Sequence, residues 1–132
     1  DTSEISETVK FCIDGGNGAL GSIIEDLSKT YNLNYEGLFM DVDGNFPNHP
    51  ADPSDENNLS DLKAKVLSKN LDFGVAFDGD ADRSVFIDDK GNLISGSLMT
   101  CLISDWLLEK QSDIKVVHNV NVQPSIIDYL KK

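Results

Sequence analysis

Three aspartates, Asp78, Asp80 and Asp82, stand at alternate positions in FDGDADRS (77–84), separated by Gly79 and Ala81 and followed at once by Arg83. Alternate residues of an extended segment point to one side, about 6–7 Å apart along the chain. Curling the segment through two small residues brings three carboxylate oxygens towards one point. Alone these charges repel; a dication gathers them and leaves a single net negative charge. Oxygen donors with no His or Cys among them favour Mg2+ over softer metals. Arg83 adds a permanent cation whose planar fork suits phosphate or carboxylate oxygens. The plain alternative is a solvated acidic turn in a hairpin-like connection. Three alternating aspartates and an arginine at the end of a buried strand weigh towards the metal.

Three other chemistries compete for these and neighbouring residues. Asp78, Asp80 and Asp82 match positions one, three and five of a helix-loop-helix calcium loop, which needs glycine at six and glutamate at twelve. Arg83 and Asp89 stand there instead, and a strand precedes the loop, so that reading fails. An aspartyl-phosphate phosphatase would use Asp78 as nucleophile and Asp80 as acid–base, but needs lysine and acidic motifs downstream that form no clear set here. Finally, GNGALG (16–21) satisfies G-x-G-x-x-G after a strand and before a helix, with Asp41 about 20 residues on, as in dinucleotide sites. Asp41 leads into a proline-rich loop, however, and the chain lacks the strands of a two-halved dinucleotide fold. A tight strand-to-helix turn at Gly15, Gly16 and Gly18 is the favoured reading.

The elements that must position these residues follow from periodicity. VKFCID (9–14) reads as a buried strand, and Leu20, Ile23, Ile24, Leu27 and Tyr31 recur at helical spacing. Residues 34–40 read as a second strand. The stretch 41–54 holds three of the four prolines and no periodicity, so it reads as a long ordered loop. Ser54 or Asp55 can cap a helix whose apolar face is Leu59, Leu62, Val66 and Leu67, ending at Asn70. FGVAF (73–77) has no polar side chain, as befits a central strand covered on both faces. SVFIDD (84–89) turns at Lys90, Gly91 and Asn92 into LISG, and residues 98–109 read as a helix. KVVHNV (115–120) reads as a strand and 124–131 as a last helix opened by proline. This alternation predicts a three-layer α/β/α domain over residues 1–132, with a mixed, mostly parallel central sheet in which the strand from Ser84 pairs with FGVAF.

A formal net charge of −12 makes nucleic acid and anionic membranes poor partners. Cys12 and Cys101 each lie in an apolar run without Cys-x-x-Cys spacing, as expected of buried thiols in a reducing compartment. No cationic, apolar leader precedes the first strand, and the most apolar stretch, near Leu98 to Leu108, is broken by Asp105. These features predict a cytoplasmic protein. Both ends read as domain boundaries, so the sequence predicts a piece of a larger protein. His49 and His118 stand alone, without metal-ligand spacing, and read as structural; Trp106 reads as core.

DFGVAFDGDADRSVFIDDKG (72–91) resembles the metal-binding loop of the α-D-phosphohexomutases, the phosphoglucomutase/phosphomannomutase superfamily. CIDGGNGALG (12–21) resembles the first strand and turn of that family's second domain, and VDGNFPNHPADPSDENNLSDLKAKV (42–66) its proline-rich loop and following helix. The blocks keep the family's order and spacing from about Val9 to Lys131. One departure is local: family members often have two histidines before the loop proline, where His49 stands alone before Pro50. The resemblance implies that Asp78, Asp80 and Asp82 ligate Mg2+, and that Arg83 acts in catalysis and substrate binding beside the reacting phosphoryl group. It also implies a four-domain parent that moves a phosphoryl group between the 1- and 6-positions of a hexose, through a phosphoserine and a bisphosphate. Motifs of the family's phosphoserine, sugar and terminal phosphate loops are not found in this chain, and Ser84 matches none of them. The chain therefore resembles the second domain only, predicted to be inactive alone, to bind the ion weakly, and to meet its phosphosugar in a cleft shared with other domains. A reading of another class is a free-standing Mg2+-dependent phosphate- or nucleotide-binding module, for which the GNGALG turn is the best support.

Overall fold

The computed structural model describes residues 9–111, 114–118, 120 and 124–130, and the chain forms two compact units, Asp1–Leu93 and Ile94–Lys132. The first unit is built on strands β1 (Phe11–Asp14), β2 (Tyr35–Leu38), β3 (Phe73–Phe77) and β4 (Ser84–Asp88), with β5 (Leu93–Ile94) at the unit boundary. The sheet order is β2-β1-β3-β4-β5; β1 pairs in parallel with β2 and β3, and β4 runs antiparallel to β3. Phe77 stands opposite Ser84, so the strand from Ser84 pairs with FGVAF as expected.

Alternation along each strand divides the core between two faces. Cys12, Ala76 and Ile87 point to the side covered by Leu59 and helix α2 (Ser60–Lys69), which contributes Leu62 and Val66. Leu59, Leu62, Val66 and Ile87 are fully buried, worth about 1.5–3 kcal/mol each. Ile13 and Val75 point to the other side, against Leu20 and Ile24 of the segment that enters α1 (Ile24–Tyr31). There the Phe11 and Phe73 rings stack at 4.8 Å. Helices on both faces make the unit a three-layer α/β/α sandwich. Gly74 is required for one of these contacts. A Cβ there would stand 2.9 Å from Ile87, Leu62 and Val66, so α2 lies as close to the sheet as a bare backbone allows.

Local signals set the element ends. Asp55 accepts the Asn57 N–H at 3.0 Å and caps a 3-10 turn (Glu56–Leu59) that leads into α2. Asn32 and Asn70 close α1 and α2 in the left-handed conformation, with φ of 49° and 51°. The helix expected from Leu20 begins instead with a 3-10 turn (Ala19–Ser22), which shifts the helical phase. Leu20 and Ile24 are buried, while Ile23 is half exposed.

The second unit contains α3 (Gly96–Lys110) and α4 (Pro124–Leu130). Ser95 caps α3 by accepting the Leu98 N–H at 3.2 Å, and Tyr129 of α4 donates to Asp105 of α3 at 2.6 Å. Trp106, expected in the core, is half exposed beneath Lys110 Nζ, 4.4 Å from its ring centre. The strand expected over 115–120 does not form at residues 115–118, and residue 119 lies outside the described residues. β-branched side chains favour an extended backbone, but a strand also needs a ladder partner, and Val117 is almost fully exposed. The end of the last expected helix, residue 131, also lies outside the described residues. Cys12 and Cys101 are both buried and unpaired with each other, as expected. No helix among the described residues is long and apolar enough to cross a membrane.

Candidate metal centre

β3 delivers the chain to the acidic loop, and β4 takes it back along the same sheet. Between them the Asp78 N–H donates to the Arg83 carbonyl at 3.2 Å, and the Ala81 N–H to the Asp78 carbonyl at 3.1 Å. Ala81 completes the curl in the left-handed region, at φ 62°, a conformation that costs a non-glycine residue of order 1 kcal/mol. Its side chain packs against the apolar cluster on the α1 side, which holds the curl in place.

The curl gathers the three aspartates. One carboxylate oxygen from each of Asp78, Asp80 and Asp82 lies within 4.8 Å of the others. Asp78 is buried, with 2% of its surface exposed, whereas Asp80 and Asp82 face solvent. Burial alone raises the Asp78 pKa. The Arg83 backbone N–H at 3.1 Å, the Arg83 Nε at 2.6 Å and the guanidinium charge outweigh it and hold the carboxyl below its ordinary value. Asp78 is therefore an anion built into the fold. Asp82 is pushed the other way, chiefly by the charge of Asp80 and then of Asp78.

These residues fit a small hard cation. Opposite oxygens of an octahedral Mg2+ stand about 4.2 Å apart, so oxygens within 4.8 Å need only small movements of the two exposed side chains. Each Asp78 oxygen keeps a lone pair after accepting one bond from Arg83. Arg83 is the basic member: besides Asp78, its Nε lies 3.7 Å from Asp82 and its Nη1 lies 4.0 Å from Asp52. Its side chain is 63% exposed. The structure thus brings Asp78, Asp80, Asp82 and Arg83 together in one loop.

Two supports for this loop were not visible in sequence. Gly18, read as part of a tight turn, lies directly under Gly79: a Cβ on Gly18 would stand 2.6 Å from the Gly79 carbonyl oxygen, which also accepts the Ala19 N–H at 2.9 Å. A Cβ on Gly21 would collide with the Met40 backbone. Gly18 and Gly21 of GNGALG therefore admit neighbouring backbone where a dinucleotide site would admit a pyrophosphate. The second support is the 41–54 loop. Asn17, buried and left-handed at φ 58°, takes the Asp43 N–H on its carbonyl at 3.0 Å, donates to Asp41 at 2.8 Å and accepts from Asn48 at 2.7 Å. Asp52 in this loop is held below its ordinary pKa, first by the Ser54 hydroxyl and N–H. His49, read as a lone histidine, pairs with the buried Asp14 at 3.1 Å. No sequence signal links two residues 35 apart without a shared motif.

Residues 2–91 match the sequence profile described as phosphoglucomutase/phosphomannomutase, alpha/beta/alpha domain II. A phosphoglucomutase of Neisseria meningitidis serogroup A is 35% identical over 129 residues, covering 98% of this chain and 28% of that protein. A phosphomannomutase/phosphoglucomutase of Pseudomonas aeruginosa PAO1 is 33% identical over 127 residues, covering 96% and 27%. Among solved structures, a phosphoglucomutase/phosphomannomutase family protein from Burkholderia thailandensis superposes with a TM-score of 0.75 at 35% identity, covering 83% of this chain and 24% of that one. The chain thus spans about a quarter of the length of these relatives.

Proposed function

Given that the chain belongs to the phosphoglucomutase/phosphomannomutase family, we propose that it is the metal-binding domain of a phosphohexomutase that interconverts hexose 1- and 6-phosphates. The observation that carries this reading is the gathering of the Asp78, Asp80 and Asp82 carboxylates within 4.8 Å, inside the segment that matches the family profile. In this reading those three residues hold Mg2+. The bound ion would neutralise charge on a transferring phosphoryl group and orient its oxygens.

The chain's own residues then have distinct tasks. Asp78, kept anionic by Arg83, is the fixed ligand around which Asp80 and Asp82 adjust. Arg83 is held by one edge through Nε, and its side chain remains 63% exposed to meet a phosphate. Its cation is reinforced first by the hydrogen bond to Asp78 and by that residue's charge. A preorganised cation of this kind stabilises charge as it develops without reorganising during the reaction. The phosphoserine, the sugar contacts and the remaining phosphate contacts belong, in this proposal, to the other domains of the parent enzyme.

The test uses the 132-residue chain with glucose 1-phosphate, an activating bisphosphate and Mg2+, alongside a separate NAD titration. The reading requires no mutase turnover by the chain alone, with turnover appearing when the chain is part of a four-domain enzyme. Turnover by the isolated chain would sink the domain assignment, and saturable NAD binding would favour the nucleotide-binding module.

A further inference from the structure

His49 has both ring nitrogens committed. Nδ1 lies 2.8 Å from the Pro50 carbonyl oxygen, and Nε2 lies 3.1 Å from Oδ2 of Asp14. A carbonyl oxygen only accepts, so Nδ1 must carry a hydrogen. A neutral imidazole has one N–H, which leaves a lone pair on Nε2 facing Oδ2. With Asp14 ionised, two lone pairs would oppose each other at a carboxylate that has no exposure to solvent. One further proton removes the conflict, either on Nε2 as an imidazolium or on Oδ2 as a carboxylic acid. We infer that Asp14 and His49 share one proton, and that this proton pins the 41–54 loop against the backbone of the aspartate loop.

The surroundings favour keeping it. The other Asp14 oxygen accepts the Gly16 N–H at 2.9 Å. Burial raises the Asp14 pKa; the Gly16 N–H and His49 act against that, and the Asp61 charge on α2 adds to it. Cys12, on the same strand, has its thiol pushed up to about 12 by burial and then by Asp14, and so stays neutral. Beyond Cys12, Lys65 and Glu36 pair with each other at 2.7 Å. The Phe39 ring packs edge-on against His49, with centroids 5.2 Å apart.

The pair reaches the metal loop through its neighbours. Phe46 and Ala51, in the same loop as His49, flank Gly79: a Cβ on Gly79 would lie 3.6 Å from Phe46 Cζ and 3.7 Å from Ala51 Cβ. Losing the proton forces His49 to give up either Pro50 or Asp14, which frees this flank. Asp14 and His49 are thus positioning residues, acting through Phe46 and Ala51.

Nitrogen and carboxyl-carbon NMR of the 132-residue chain near neutral pH counts the proton directly. The expected result is an imidazolium beside a carboxylate, or a neutral imidazole beside a carboxylic acid; any other count overturns the inference. Asp14→Asn separates the hydrogen bond that the shared proton makes from the negative charge of Asp14 as the element that holds the loop. The amide can donate to Nε2 and still accept from Gly16, so exchange of the Ala19 amide should stay within about threefold of the parent. A larger rise means that the negative charge itself holds the loop, and overturns the inference. His49→Ala removes both contacts and should accelerate the same amide by more than about threefold; a smaller change also overturns it. These readouts need no metal, so their failure would leave the proposed function standing.

Discussion

Replacing Gly18 with alanine tests whether the glycine turn exists to support the aspartate loop. The backbone of Gly18, at φ −90° and ψ −169°, suits alanine, so any effect must come from the contact and not from torsional strain. The added Cβ would stand 2.6, 2.9 and 3.0 Å from the oxygen, Cα and carbonyl carbon of Gly79. All three are backbone atoms, which no rotamer change can move aside. Restoring an ordinary contact of 3.4 Å requires the loop to retreat by about 0.8 Å. The same movement stretches the 2.9 Å bond from the Ala19 N–H to the Gly79 carbonyl beyond useful length. Overpacking and the lost bond together should cost about 2–4 kcal/mol of stability. Metal distances tolerate only about 0.2 Å, so Mg2+ affinity should fall at least roughly tenfold. Urea unfolding gives the first quantity, and calorimetric titration with Mg2+ the second. An alanine variant with unchanged stability and unchanged Mg2+ affinity would refute the reasoning that these two backbones are in obligatory contact.

Gly74→Ala places a methyl 2.9 Å from three core side chains and should destabilise the chain by about 1–3 kcal/mol in urea unfolding, without altering the residues of the metal loop. Asp88 accepts from the Lys90 and Asn92 N–H groups and the Asn92 side chain, and its pKa is lowered first by that side chain. Because the folded value lies below that of a free aspartate, its stabilisation is present at neutral pH and disappears as pH falls through the folded value. Asp88→Ala should therefore lower Tm at neutral pH, with the difference from the parent vanishing in strong acid. Cys12, fully buried with its thiol pushed up to about 12, should resist alkylation near pH 8 until the chain unfolds, which mass spectrometry reads directly.

The strands, the caps and the aspartate loop were legible because each depends on residues close in sequence. FGVAF has no polar side chain, and the structure buries its centre; Asp55 and Asn70 carry cap chemistry and act as caps. The alternating aspartates meet because small residues let the loop curl, although nothing in the sequence marked Ala81, where glycine would be the ordinary choice, as left-handed. Long-range dependencies were hidden. The contact of Gly18 with Gly79 and the pairing of His49 with Asp14 join distant segments, and the residue types alone read as a turn glycine and a lone histidine. The run at 115–118 shows the opposite failure. Its valines satisfy strand composition, but composition cannot supply a neighbour to pair with.

The most direct test of the metal centre is calorimetric titration of the 132-residue chain with Mg2+, comparing the parent with Asp80→Ala. Asp80 is exposed, so loss of folding should not confuse the outcome. One saturable site in the parent, with binding lost in the variant, is the predicted result. The variant should also unfold at a slightly higher temperature without metal, since the Asp80 charge is the leading cause of the raised Asp82 pKa. Equal Mg2+ binding by the two proteins, or no saturable binding by the parent, would contradict the assignment of Asp78, Asp80 and Asp82 as ligands.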